Sequence, residues 1–224
     1  MMARHTFYLP CLIVFLGALA ATAQRPQERL TGYSSRPQDS TVRPSVAESS
    51  TKNEGKVSLP FEDDFSGPGP WPQASLWLDQ EVFINRTQAR SPITLGVATF
   101  DGMNRFGRAY NLSRQATDTA DRLTSREIDL SNPQDSVYLS FYYQPGGWSE
   151  PPSSQDSLAV QFWNGADSSW QSVWSAFGEA APGNSFTQAM IPVASRFHRS
   201  DLQMRFVSYG SLAGSFDVWP LDYV

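Results

Sequence analysis

A chain of 224 residues is long enough for one or two domains. Its formal net charge is −5, and only 17% of its residues are charged, against roughly 25% in ordinary soluble domains. With no basic run to gather phosphates, nucleic acid is disfavoured as a partner. The one cysteine, Cys11, lies in the apolar N-terminal stretch, so the rest of the chain must be held by its core rather than by disulfides.

Residues 1–23 divide into the three parts of a signal peptide. Arg4 and His5 sit in a weakly positive opening, CLIVFLGALA (11–20) is apolar, and Ala21-Thr22-Ala23 is a small-x-small cleavage site before Gln24. The apolar run is too short to cross a membrane. The expected location is therefore secreted, periplasmic or on the outer cell surface, with no membrane span after cleavage.

Residues 24–56 are rich in Ser, Pro, Thr, Arg and Gln and poor in large apolar side chains. Such a segment buries too little surface to offset its ordering entropy. It is expected to be a disordered spacer.

From Val57 to Val224 the texture changes. Short apolar runs recur every ten to fifteen residues between Gly, Pro, Asn, Asp and Ser, the spacing of an all-β sandwich. About ten strands are expected, near 58–62, 76–84, 93–100, 122–129, 136–144, 156–164, 168–176, 185–193, 202–209 and 215–224. Period-two alternation sets Leu158, Val160 and Phe162 against Ala159, Gln161 and Trp163. It likewise sets Leu139, Phe141 and Tyr143 against Tyr138, Ser140 and Tyr142. Asn164-Gly165-Ala166-Asp167 reads as a hairpin turn between two tryptophan-bearing strands.

Seven tryptophans are many for this length. Trp77 and Trp174 stand among apolar neighbours and are expected in the core. Trp148 lies in a Pro/Gly loop, 144–152, that offers little to bury it, so it is a candidate recognition residue. Tyr138, Tyr142 and Trp163 lie on the solvent-side phase of their strands and are expected to form an aromatic platform. Gln161 and Arg205 share that phase, where they can hydrogen-bond sugar hydroxyls or a partner carboxylate. The single His after the leader, His198, has no Ser/Asp constellation near it in sequence. Neither Glu62-Asp63-Asp64 nor Glu127 and Asp129 has a second carboxylate at a useful spacing.

The succession "LPFEDDFS", "SLWLDQEVFIN", "TLGVATFDGMN", "LTSREIDLS", "DSVYLSFYYQPGG", "DSLAVQFW", "WQSVWS" and "DVWPLDYV" resembles a MAM-like, concanavalin A-like jelly-roll domain. Such domains occur in surface and secreted proteins of gliding, type IX-secreting Gram-negative bacteria. The resemblance implies a two-sheet antiparallel jelly-roll sandwich whose first and last strands are neighbours. By the same resemblance, a structural Ca²⁺ is expected at that edge on Glu62, Asp64 and Asp222, since hard oxygen clusters suit that ion. Jelly-roll glucanases use a Glu-x-Asp-x-x-Glu strand, and no such pattern occurs in the chain. The expected function is an exported, non-catalytic binding or adhesion module contacting a glycan or a surface protein. The alternatives are a polysaccharide-active hydrolase and a structural module of a larger surface or secretion-associated protein.

Overall fold

Alternating apolar residues need two partners, a neighbouring strand for the backbone and a second layer for the apolar face. The computed structural model, which describes residues 55–178 and 185–224, supplies both. The expected signal peptide (1–23) and the spacer up to residue 54 lie outside the described residues. Nine strands are present among the described residues: β1 Phe83–Asn85, β2 Val97–Phe100, β3 Thr117–Thr124, β4 Tyr138–Tyr143, β5 Ser157–Asn164, β6 Ser169–Phe177, β7 Thr187–Pro192, β8 Met204–Ser211 and β9 Trp219–Asp222. The one helical element among them is a single 3-10 turn, Ser195–Phe197.

The strands form two sheets, β1-β2-β9-β4-β7 and β3-β8-β5-β6. Every ladder is antiparallel. The architecture is the expected all-β, two-sheet sandwich. Phe100, Phe141, Trp219 and Leu221 of the five-stranded sheet meet Leu123, Val160, Phe162 and Phe206 of the four-stranded sheet in one core. Phe141 and Phe206 touch edge to face at 5.0 Å between centroids. Burying each such side chain contributes on the order of 1.5–3 kcal/mol.

Three expectations about strands need correction. Residues 58–62 form no strand; only Val57 makes an isolated bridge, to Ile128. The run 76–84 is a strand only over 83–85, with Trp77 in a lone bridge to Ser125. The last strand is confined to four residues, and the described residues hold nine strands rather than about ten. The reason is common to the first two. These apolar side chains are buried by capping the sandwich rather than by joining a ladder. Trp77 is 2% exposed, packs against Phe61 and Phe65, and donates from Nε1 to Asp63 Oδ2 at 2.7 Å. Burial raises the Asp63 carboxyl pKa above the ordinary value, and the Trp77 and Phe65 N–H donors oppose that shift.

The first and last segments are indeed neighbours. Asp63 and Val224 exchange both backbone hydrogen bonds. The hairpin at 164–169 is present as read, with Asn164 opposite Ser169 and Ser168 in the left-handed region at φ 53°.

Candidate functional site

The outer face of the four-stranded sheet carries an aromatic and polar cluster. Pairing sets Gln161 opposite both Arg205 and Ser172, and Trp163 opposite Trp170. The two indoles are half-buried, 5.5 Å apart between centroids and tilted by 58°. The Arg205 guanidinium lies 4.2 Å from the Trp170 ring centroid, and its Nε donates to Gln161 Oε1 at 2.7 Å. Burial, then the positive charge of Arg122, lowers the Arg205 pKa from its ordinary value. A guanidinium remains charged through such a shift. The cluster therefore presents ring faces, an amide and a fixed cation on one surface. Those groups suit stacking against a C–H-rich ligand and hydrogen bonding to its hydroxyls.

Trp170 was not among the residues singled out by sequence, although the signal was there. A turn at 165–168 places 163 opposite 170. What obscured it was the four-residue spacing to Trp174, which in a regular strand puts both indoles on one face. A β-bulge between Val160 and Gln161 inserts Val173 and reverses the phase. Trp174 consequently turns inward to meet Phe141 at 5.0 Å, while Trp170 turns outward.

The expected platform of Tyr138, Tyr142 and Trp163 is not assembled. β4 and β5 are consecutive in the chain but belong to different sheets. Tyr138 and Tyr142 lie on the outer face of the five-stranded sheet, while Trp163, Gln161 and Arg205 lie on that of the other. Solvent-side phase is a local property, and sheet membership is not.

Trp148 is on the five-stranded side. It is 68% exposed, its N–H donates to Gln88 O at 2.8 Å, and the Arg90 guanidinium lies 4.3 Å from its ring centroid. Beneath it, loop 86–96 is tied down on the sheet's outer face. The buried Gln144 side chain accepts from Arg90 N at 2.8 Å and donates to Arg90 O at 3.0 Å. The fully buried Asp222 carboxylate accepts from Ile93 N at 2.8 Å, Thr94 N at 3.0 Å and Thr94 Oγ1 at 2.6 Å.

The three acids expected to hold an ion therefore have other partners. Asp222 anchors the loop. Asp64 caps its own turn through Ser66 N and Oγ, though its carbonyl oxygen, like Asp222, lies within reach of Thr94 Oγ1 at 2.7 Å. Glu62 Oε1 accepts from the Tyr223 hydroxyl at 3.0 Å. Among the described residues no group of three His, Cys, Asp or Glu side chains converges as a metal site.

A carboxylate pair that the sequence did not reveal stands at the end of the sandwich where β5 begins and β8 ends. Asp217 Oδ2 accepts from Ser211 N at 2.7 Å. Its carboxyl is pushed up to about 6, first by burial and further by the neighbouring Asp156 and Glu150. Asp156 is within hydrogen-bond reach of it and is itself occupied by Ser153 N at 2.9 Å. Glycoside-cleaving carboxylates stand roughly 5–10 Å apart to leave room for the sugar or water. Asp217 and Asp156, within hydrogen-bond reach of each other, stand closer than that. His198 is equally occupied, with Nε2 3.0 Å from Val193 O.

No family model matches the chain. No curated protein matches it. Among solved structures, the chain is similar to the crystal structure of a carbohydrate-binding module, CBM28, described as specific for non-crystalline cellulose. The TM-score is 0.39 and the identity 10%, over 65% of this chain and 83% of that one. The likeness is loose and carries no functional argument.

Proposed function

We propose that the protein is an exported, non-catalytic binding module that holds a glycan on the outer face of its four-stranded sheet. One observation carries this reading. Trp163 and Trp170 are paired across the β5–β6 ladder, with Arg205 and Gln161 hydrogen-bonded beside them. Sugars offer an axial C–H face to a ring and equatorial hydroxyls to an amide or guanidinium. This cluster offers both kinds of partner within one short stretch of sheet. The β-ladders beneath fix the spacing of these groups, so little ordering entropy opposes binding. Export is supported by the three-part leader at 1–23.

The test is a glycan array probed with the protein, followed by titration of the best binder against single variants. Trp170→Ala and Trp163→Ala should each weaken binding at least tenfold, about 1.4 kcal/mol, with the melting temperature nearly unchanged. If Trp148→Ala abolishes binding and the other two do not, the site lies on the opposite sheet and this reading fails.

A further inference from the structure

The five-stranded sheet has a gap in it. β9 pairs with β4 only through Asp222↔Tyr142 and Leu221↔Tyr143, although β4 runs on to Tyr138. Continued antiparallel pairing would set Val224 opposite Ser140. Tyr223 instead adopts φ 47°, and Val224 exchanges its backbone bonds with Asp63.

The alternation of the ladder fixes what this leaves exposed. Val193 N donates to Val137 O, and Gln144 N donates to Pro220 O. Odd-numbered β4 residues thus turn their N–H and C=O toward β7, and even-numbered ones toward β9. The main-chain groups of Tyr138 and Ser140 therefore face the side that β9 has left. No backbone bond to them on that side is made by the described residues.

A cleft of about 260 Å³ opens beside this free edge. Its floor is apolar and buried, formed by Ile128, Leu139, Phe162, Leu202 and Met204. Its solvent side is bordered by Glu62, Tyr138 and Tyr223. Lys and Arg are absent from the lining. Water on such a floor lacks the two to four polar partners that would hold it, and an apolar group gains by displacing it.

We infer that this cleft docks an extended peptide segment of a partner protein, which takes up the place β9 vacates. The segment pairs its backbone with Tyr138 and Ser140 and buries one bulky aliphatic side chain on the floor. Main-chain groups spaced two residues apart match an extended chain, in which bonding residues recur with the same period. A small apolar ligand fills the floor and leaves those groups unmatched. The Glu62 carboxylate at the border, with no cation in the lining, selects a Lys or Arg flanking the buried residue. This surface is separate from the glycan face and does not depend on it.

The experiment uses four labelled seven-residue peptides, Lys-Thr-Val-X-Val-Thr-Lys, with Leu, Ile, Phe or Asp at X. Fluorescence anisotropy reads binding, and amide hydrogen exchange reads Ser140. The apolar peptides should bind saturably, the Asp peptide at least tenfold more weakly, and exchange at Ser140 should slow at least tenfold in the complex. Ser140→Pro removes the N–H facing the gap and leaves the β4–β7 ladder intact; it should weaken binding at least tenfold. Glu62→Lys, on an exposed side chain, should weaken it about threefold or more, so the proposal stays decidable even if the proline variant folds poorly. Absence of saturable binding overturns the inference. So does binding that leaves Ser140 exchange unchanged, or that decanoate displaces without either variant mattering; the cleft is then a site for small apolar molecules.

Discussion

The two outer faces of this sandwich read alike in sequence and differ in use. Each presents polar and aromatic residues on the solvent-side phase of its strands. On the five-stranded face, loop 86–96 lies across the sheet, and Gln144 and Asp222 become buried struts that satisfy its backbone. On the four-stranded face, Gln161, Trp163, Trp170 and Arg205 bond chiefly to one another and remain partly open to solvent. A polar residue on the outer phase supports the fold when a loop covers it and is available to a ligand when none does.

That contrast is sharpest at Asp222. Replacing it with Ala leaves the part-buried N–H groups of Ile93 and Thr94 without their acceptor, while the Thr94 hydroxyl keeps Asp64 O and Gly96 O, a loss of about 2 kcal/mol in stability. The midpoint of urea unfolding should fall accordingly, while glycan affinity per folded molecule stays the same. An Asp222→Ala protein as stable as the parent would erase the distinction between the faces.

Arg205→Ala is the complementary change on the open face. It removes the guanidinium over Trp170 and one hydrogen bond to Gln161. Affinity for the bound glycan should drop roughly tenfold, about 1.4 kcal/mol. The urea midpoint should move little, and calorimetric titration alongside urea unfolding separates the two effects.

Asp217 tests a third region, the turn-bearing end, through pH. Its carboxyl is raised from the ordinary 3.8 to about 6, chiefly by burial and then by Asp156. The folded chain holds this proton more tightly than the unfolded one. The contribution is thus fully present below about pH 4 and is lost as pH rises through 6. Allowing for solvent screening at a half-buried site, it amounts to about 1 kcal/mol. Asp217→Asn keeps an acceptor for Ser211 N and removes the charge. Its unfolding midpoint should exceed the parent's at pH 7.5 and approach it at pH 4. A parallel pH dependence in both proteins would show that Asp217 does not titrate in this window.

Trp148→Ala should have the smallest effect, within about 0.5 kcal/mol in stability. The indole is largely exposed, the bond to Gln88 O comes from the backbone and survives the change, and the Arg90 contact to the ring is worth about 0.5 kcal/mol at so exposed a site.

Much of the fold was legible because the β-pleat is local. The alternation at 139–143 and 158–162 shows which side chains face the core, and the 164–167 turn marks a hairpin. What was not legible depends on contacts distant in sequence. Nothing near Tyr142 or Trp163 tells which sheet each joins, and so the expected platform combined residues from opposite faces. The bulge at Val173 was invisible for the same reason, and it decides that Trp170 rather than Trp174 turns outward. At 58–62 and 76–82 the apolar content suits a strand equally well, and only the packing of Trp77 on Phe61 and Phe65, with its Nε1 satisfied by Asp63, shows that these residues cap the sandwich end. Asp222 was marked for its charge, yet its role follows from Ile93 and Thr94, more than a hundred residues earlier.

The measurement that bears most directly on the central claim is a side-by-side glycan titration of the parent, Trp170→Ala and Trp148→Ala. The expected result is at least a tenfold loss for Trp170→Ala and an unchanged affinity for Trp148→Ala. The reverse order would move the binding face to the five-stranded sheet and contradict the assignment made from Trp163, Trp170, Arg205 and Gln161.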